Sequence, residues 1–277
     1  MIKKYSVLTA GIVLGVALIL TIGFAASPQK NTIQSYSGQV EVSKDGGKKW
    51  VKAAADMEVN NKDVIKTKDK ASCEILIVGL GVFRIGPNTQ ATLDSLTGKD
   101  KKVAVQSGTV GINVKIKLKP GETFKVQTET AVAEVRGTIF EVEADGEKTK
   151  TICAEGEVVM IRNVSIPASD TDLGELKDLL KVKLKANKEI EMTMQENKDL
   201  ENLLKKAKKN KTEVTEILKQ WNAKDLMKIR LAQKAQNLIN ELSGDSSSGN
   251  IDKFFEEEPE DTDDGTDSLM DKVKGGK

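Results

Sequence analysis

The spacing of apolar positions changes along the chain. Residues 5–29 form an uncharged, mostly apolar run. Between residues 33 and 162, apolar and polar positions alternate in short stretches, separated by turn signals such as Asp45-Gly46-Gly47, which is typical of β-strands. From residue 172 to 243, leucines and other apolar residues recur at every third or fourth position, which is the period of a helix. The pattern therefore predicts an N-terminal apolar segment, a β domain and a helical region.

The N-terminal segment, residues 1–25, is predicted to direct the chain out of the cytoplasm. Lys3 and Lys4 precede the apolar run, which places the amino end in the cytoplasm. Gly23-Phe24-Ala25 fits the small-x-small rule for signal peptide cleavage, whereas the run is also long enough to span a bilayer. Two outcomes stay open: a cleaved signal peptide, which is slightly favoured, or a retained membrane anchor. In both, the rest of the chain is periplasmic or envelope-associated, and only an uncleaved segment would contact the membrane.

Composition excludes several classes of function. The 277 residues include 43 Lys and Arg against 42 Asp and Glu, so no net field directs the chain to nucleic acid. The sequence contains no histidine, which removes histidine-dependent nucleophiles, general bases and metal ligands. We therefore expect no enzymatic activity, no cofactor and no metal site.

The stretch 135–142 is apolar on both faces of a strand. Val135 and Ile139 lie on one side, and Phe140 and Val142 on the other. A strand of this kind is normally covered on both faces, so we expect it inside its sheet. Arg136 within it needs a carboxylate or several carbonyl oxygens around its guanidinium. The favoured interpretation is that Arg136 links neighbouring layers of the fold, and ligand binding is the alternative.

This stretch, V-R-G-T-x-F-x-V, resembles the signature of the FecR domain, an extracytoplasmic β module named after an iron-transport regulator. The motif consists of six residues: Val135, Arg136, Gly137, Thr138, Phe140 and Val142. Similar stretches follow the same order at residues 38–42, 50, 63–67, 83–88 and 156–159. The resemblance implies a FecR-like β-solenoid or roll over residues 33–165, with the motif residues in structural roles.

Cys73 and Cys153 lie in separate predicted strands, eighty positions apart. Outside the cytoplasm a disulfide is permitted, and a bridge closing so long a loop could add about 4 kcal/mol by the chain-entropy model. The alternative is two small buried apolar residues, since Cys73 shares a strand face with Ala71 and Ile75. The sequence leaves both interpretations open.

Residues 112–119 alternate apolar and polar positions and predict a strand with one buried face. Lys115, Lys117 and Lys119 follow one another on its polar face. They could make weak contact with a polyanion, such as an anionic glycan or lipid, but solvation of an open face or edge is favoured.

Residues 172–243 are predicted to form a long helical hairpin or coiled coil. Asp172-Leu173-Gly174-Glu175 has the spacing of a capping box, and Asn210 can cap a second helix. Two helices seldom close a core of their own, so the remaining apolar stripe must meet the β domain, a second copy of the chain or an envelope protein. Association with an envelope protein or a second copy is the favoured interpretation, and docking on the β domain is the alternative. Leu218 and Trp221 are the candidate contact residues.

Residues 244–277 form an acidic tail that is predicted to be disordered, because its carboxylates repel one another and its apolar residues are few. Phe254 and Phe255 are an exception, and this apolar pair could dock on a partner.

These features predict a mainly β protein with a helical arm that acts as a non-enzymatic binding or scaffolding module of the cell envelope. The alternative, which the resemblance implies, is a FecR-type sensor in transmembrane signalling to a sigma factor. Such regulators carry a cytoplasmic domain before the membrane segment. Only four residues precede the apolar run here, and this departure favours the module.

Overall fold

The computed structural model describes residues 30–114, 118–135, 137–168, 170–207 and 210–243, with the side chains of residues 170 and 171 excepted. The described strands are β1 (Thr32–Ser37), β2 (Val40–Ser43), β3 (Val51–Lys52), β4 (Val64–Thr67), β5 (Ser72–Ile77), β6 (Gly81–Ile85), β7 (Gln90–Ser95), β8 (Asp100–Val114), β9 (Thr123–Gln127), β10 (Ala131–Val135), β11 (Ile139–Ala144), β12 (Lys148–Glu155), β13 (Glu157–Arg162), β14 (Val182–Lys185), β15 (Lys188–Thr193) and β16 (Arg230–Leu231). The described helices are α1 (Asp170–Asp178), α2 (Met194–Lys206), α3 (Lys211–Met227) and α4 (Ala235–Ser243). The predicted N-terminal segment and the acidic tail lie outside these residues.

The strands form two sheets that share β8. Sheet A has the order β1-β5-β6-β8-β11-β12-β15-β16, and sheet B has the order β3-β2-β4-β7-β8-β9-β10-β13-β14. Neighbouring strands are antiparallel, except for the parallel pair β8 and β9. Buried side chains from both sheets, including Phe83 and Phe140 from sheet A and Phe124 from sheet B, belong to one apolar core. The molecule is therefore a two-layer β-sandwich.

The β prediction for residues 33–162 is confirmed, and so is the turn at residues 45–47, which joins β2 to β3. The predicted solenoid is wrong. In a solenoid each repeat contacts only its neighbours in sequence. Here β8 pairs with four strands, β6, β7, β9 and β11, and divides its length between the two sheets.

The predicted helical hairpin over residues 172–243 is also wrong. Its described residues form four short helices and three strands. Of these strands, β14 pairs with β13 in sheet B and β15 pairs with β12 in sheet A. Val182, Leu184, Ile190 and Met192 alternate with lysines and glutamates, and burying them extends the sandwich core. Within the described part of the chain, no helix is both long and apolar enough to cross a membrane.

Two of the helices begin at well-formed caps. The Asn210 side chain accepts hydrogen bonds from the backbone N–H groups of Thr212 and Glu213, so the predicted cap is confirmed. Thr193 and Glu196 form a capping box at the start of α2, where the chain leaves β15 directly.

A buried ion-pair network joins α2 and α3 to β13. Arg162 donates to both carboxylate oxygens of Asp225 at 2.6 and 2.7 Å, to Asn197 at 2.7 Å and to Glu196 at 2.8 Å. Burial raises the pKa of Glu196, but hydrogen bonds from Lys228 and Arg162 outweigh it and hold that pKa at about 2. Since removing one member would leave the others buried and unpaired, the network attaches these helices firmly to the sandwich.

Helix α4 covers the outer face of sheet A. Its apolar side chains pack on Ile139 in a cluster separate from the main core. Its last carbonyl groups accept hydrogen bonds from the buried side chains of Arg84 and Asn113. Glu141 also lies on this face, 2% exposed, and burial raises its pKa although Lys234 donates to it at 3.3 Å. Residues 139–142 are thus covered on both faces, by the core and by α4.

Candidate functional site

A groove of about 550 Å³ opens where β8 passes from sheet B to sheet A. We call it the β8 groove. The charged and amide side chains that line it are Lys66, Lys68, Gln90, Gln106, Glu129 and Asp145.

The floor of the β8 groove depends on a glycine. Gly108 has φ +96°, and a Cβ atom there would lie 2.1 Å from the hydroxyl oxygen of Thr89. That hydroxyl donates to the carbonyl of Pro87 and accepts the N–H of Thr109, both at 2.9 Å. The buried Thr67 hydroxyl accepts the N–H of Thr89, also at 2.9 Å. The hydrogen bonds of Thr89 to Thr109 and of Thr67 to Thr89 therefore hold the bend in β8 in one geometry.

Opposite charges lie on opposite sides of the groove. Lys66 lies on β4, and Lys68 follows the end of that strand. In sheet B, Lys66 is paired with Gln90 on β7, and β7 is in turn paired with β8. On the far side of β8, Glu129 lies in the turn between β9 and β10, and Asp145 in the turn between β11 and β12. A polar ligand crossing β8 would contact ammonium groups at one end and carboxylates at the other.

The amide side chains lie between the charged groups. Gln90 donates to Gln106 at 2.6 Å through its Nε2, so its own carbonyl oxygen and the NH₂ group of Gln106 keep hydrogen-bonding capacity. The ammonium group of Lys66 lies 5.8 Å from the ring centroid of Trp50, a cation–π contact that orients it. Within the described ranges, no three His, Cys, Asp or Glu side chains come together as a metal site requires. The groove's chemistry is that of polar ligand binding.

The residues of the V-R-G-T motif lie away from this groove and belong to two strands. Val135 ends β10 in sheet B, while Phe140 and Val142 are buried on β11 in the interior of sheet A. Gly137 and Thr138 form the crossing between the sheets. The prediction of one continuous strand is therefore corrected, and the interior position of β11 is confirmed. Arg136 lies outside the described residues.

The crossing at Gly137 is close to another turn. A Cβ atom on Gly156 would lie 2.8 Å from the carbonyl oxygen of Gly137. The Thr138 hydroxyl donates to the carbonyl of Glu157 at 3.1 Å. These contacts fix where the chain changes sheets, so this part of the motif has a structural role.

The two cysteines are free and buried. Cys73 on β5 and Cys153 on β12 are separated in sheet A by β6, β8 and β11. Four steps between strands amount to about 19 Å, whereas bridged cysteines have Cα atoms less than about 7 Å apart. Cys73 and Cys153 are therefore too far apart for a disulfide and are free thiols in this structure.

The predicted contact residues of the arm are not on the surface. Leu218 is fully buried and Trp221 is 9% exposed, with its ring 5.9 Å from the guanidinium carbon of Arg162. They contribute to the packing of α3 and offer no open contact face. The other candidates, Phe254, Phe255, Lys115 and Lys117, lie outside the described residues.

Sequence reasoning did not identify the β8 groove as a site. Lys66, Thr67 and Asn88 fall within stretches that resemble the FecR domain, and the turn at Asp145-Gly146 was recognisable. The available signal was the pair of lysines at positions 66 and 68, because residues two positions apart in an extended segment point to the same side. The path of β8 through both sheets brings Asp145 close to these two lysines, and a local sequence pattern cannot predict that path.

Comparisons with known proteins agree with the motif. Residues 63–159 match the family model "FecR protein". Two crystal structures of a candidate anti-sigma factor from Parabacteroides distasonis ATCC 8503 each align at 19% identity with a TM-score of 0.37, covering 47% of this chain and 54% of theirs. This chain thus spans about half the length of the solved structures it matches. No curated protein matches the sequence.

The matched range begins just before β4 and ends within β13, so it includes the crossing at Gly137 and every residue that lines the β8 groove. Residues 63–159 of this chain therefore match a FecR domain, and the residues that line the β8 groove lie within the matched range.

Proposed function

We propose that this protein is a non-enzymatic binding module of the cell envelope whose ligand site is the β8 groove. The observation that supports this proposal is that all residues lining the groove lie within the matched FecR range, and that Gly108 and Thr89 fix the floor of the groove. A preformed, polar site of this kind supports recognition, because little order has to be created when the ligand binds.

The extracytoplasmic location in this proposal rests on the sequence pattern of residues 1–25. The helices have a supporting role in it. Since α2 and α3 are fixed to β13 through Arg162, and α4 lies on sheet A, they stabilise the sandwich that carries the groove. Binding is assigned to the groove, and the helical region is no longer its main candidate.

Site-specific photo-crosslinking in intact cells tests this function. A photoreactive side chain at the exposed position Gln106 should capture a molecule that the same group at Lys52, an exposed residue of β3 outside the groove, does not capture. Gln90→Ala should reduce the yield from position 106, because it removes a groove amide. Equal products from positions 106 and 52 would count against the groove as the binding site.

A second candidate function is that of a FecR-type sensor in transmembrane signalling. The family match supports it, because the family is that of FecR regulators. If the groove senses the signal, a Lys66→Met/Glu129→Gln variant should change transcription in the same direction as deletion of the whole gene. Transcript profiles that are unaltered by deletion would remove this candidate and leave the binding module in place.

A further inference from the structure

The charged side chains of the β8 groove are not matched to one another. Among the described residues, neither Lys66 nor Lys68 forms an ion pair, and the same holds for Glu129. Asp145 uses its Oδ1 to accept the N–H groups of Glu147 and Lys148 at 2.9 and 2.8 Å, which orders its turn. Elsewhere on sheet B, lysines do pair with carboxylates, so the groove differs from the surface around it.

The separation of these charges is set by the sheet. Lys66 is on β4, and Glu129 follows β9, which is three strand positions away in the order β4-β7-β8-β9. Three steps between strands correspond to about 14 Å. That distance is too long for a direct ion pair and is about the length of four extended residues.

Several ligand classes fit this arrangement poorly. A polyanion would meet the carboxylates of Glu129 and Asp145 as well as the two lysines. A saccharide site usually offers an aromatic face for stacking, and no aromatic residue lines the groove. An apolar ligand would leave the lysines and amides desolvated without partners.

We infer that the β8 groove binds a short zwitterionic peptide in extended form. Its carboxylate lies towards Lys66 and Lys68, and its ammonium group lies towards Glu129 and Asp145. Its backbone amides exchange hydrogen bonds with the free groups of Gln90 and Gln106. This inference rests on the proposed function, because it names the ligand class of the same groove.

Calorimetric titration of the full-length chain in detergent micelles with tetra-alanine tests the inference. We expect tetra-alanine to bind, and Lys66→Met and Glu129→Gln each to weaken it about two- to fivefold, as expected for solvent-exposed charge contacts. Lys52→Met and Glu143→Gln are matched controls, since both remove an exposed charge outside the groove, and neither should change the affinity.

Blocked peptides assign each end of the ligand. N-acetylated tetra-alanine lacks the ammonium group, so Glu129→Gln should not weaken it further. C-amidated tetra-alanine lacks the carboxylate, so Lys66→Met should not weaken it further. If the parent peptide and both blocked forms bind alike, or if tetra-alanine does not bind at millimolar concentration, the inference is wrong.

Two other probes separate this inference from the proposed function. If tripolyphosphate or chitotetraose binds in place of tetra-alanine and the groove variants weaken it, the peptide inference fails and the groove remains a binding site. If tetra-alanine binds and no groove variant changes its affinity, both the inference and the assignment of the groove as the ligand site are overturned.

Discussion

Thr89 occupies the space that any side chain at residue 108 would need. The hydroxyl oxygen of Thr89 would be 2.1 Å from a Cβ atom on Gly108, and its Cα atom would be 2.4 Å away. Because Gly108 also has φ +96°, both its backbone conformation and its surroundings require glycine. This pair sets the bend of β8, which decides how strands from both sheets meet at the groove.

We expect Gly108→Ala to destabilise the protein by about 3 kcal/mol or more, since a strained backbone and a collision with Thr89 act together. Gly121→Ala is the matched control, because Gly121 has φ +83° and open space around it. Strain alone should cost that control about 1 kcal/mol. Urea unfolding measures both, and equal losses would show that Thr89 does not hold the bend.

Arg162→Met should cost about 3–5 kcal/mol, because it leaves Asp225 buried without its partner. The double variant Arg162→Met/Asp225→Leu should recover part of this loss, since both buried charges are then replaced by apolar groups. Lys219→Met, which breaks an exposed pair with Glu216, is the control and should change stability by less than about 0.5 kcal/mol. Strictly additive losses in the double variant would contradict direct coupling of Arg162 to Asp225.

Glu141→Gln should stabilise the protein at neutral pH. Burial raises the pKa of Glu141 above its ordinary value of 4.5, so the folded state holds this proton more tightly than the unfolded state. The stability that this group contributes is therefore present at pH below 4.5 and is lost as pH rises through its folded pKa. The advantage of the variant should grow with pH over the acid-to-neutral range in chemical unfolding experiments.

Both cysteines should titrate as free thiols. In denaturant without reductant, a thiol reagent should label Cys73 and Cys153, and reduction should add no further label. The folded protein should react slowly, because burial raises the pKa of each thiol to about 12 and reactive thiolate is scarce. An unlabelled denatured protein would require a disulfide and hence a different strand order in sheet A.

Local features were determined by the sequence itself. The alternating stretches between residues 33 and 162, the turn at Asp45-Gly46-Gly47 and the cap at Asn210 are confirmed. Each depends on a few consecutive residues, whose side-chain direction or hydrogen bonding follows from spacing alone. The V-R-G-T motif likewise identified the FecR domain.

Pairing between distant segments was decided by the tertiary structure. Leu176, Leu180 and Leu184 fit a helical spacing of apolar residues, yet Val182 and Leu184 lie on a strand, because sheet B offered an open edge and a shared core. Long-range contacts have no local period to reveal them, as with Arg162 and Asp225, 63 positions apart.

The β8 groove illustrates the same division. The sequence places Lys66 and Lys68 two positions apart, and Asp145-Gly146 is a turn signal. Only the bend at Gly108 brings those elements to one place, because a strand that divides its length between two sheets gains partners in both. The order in which strands pair is a property of the whole core, where apolar side chains from both sheets must be covered together.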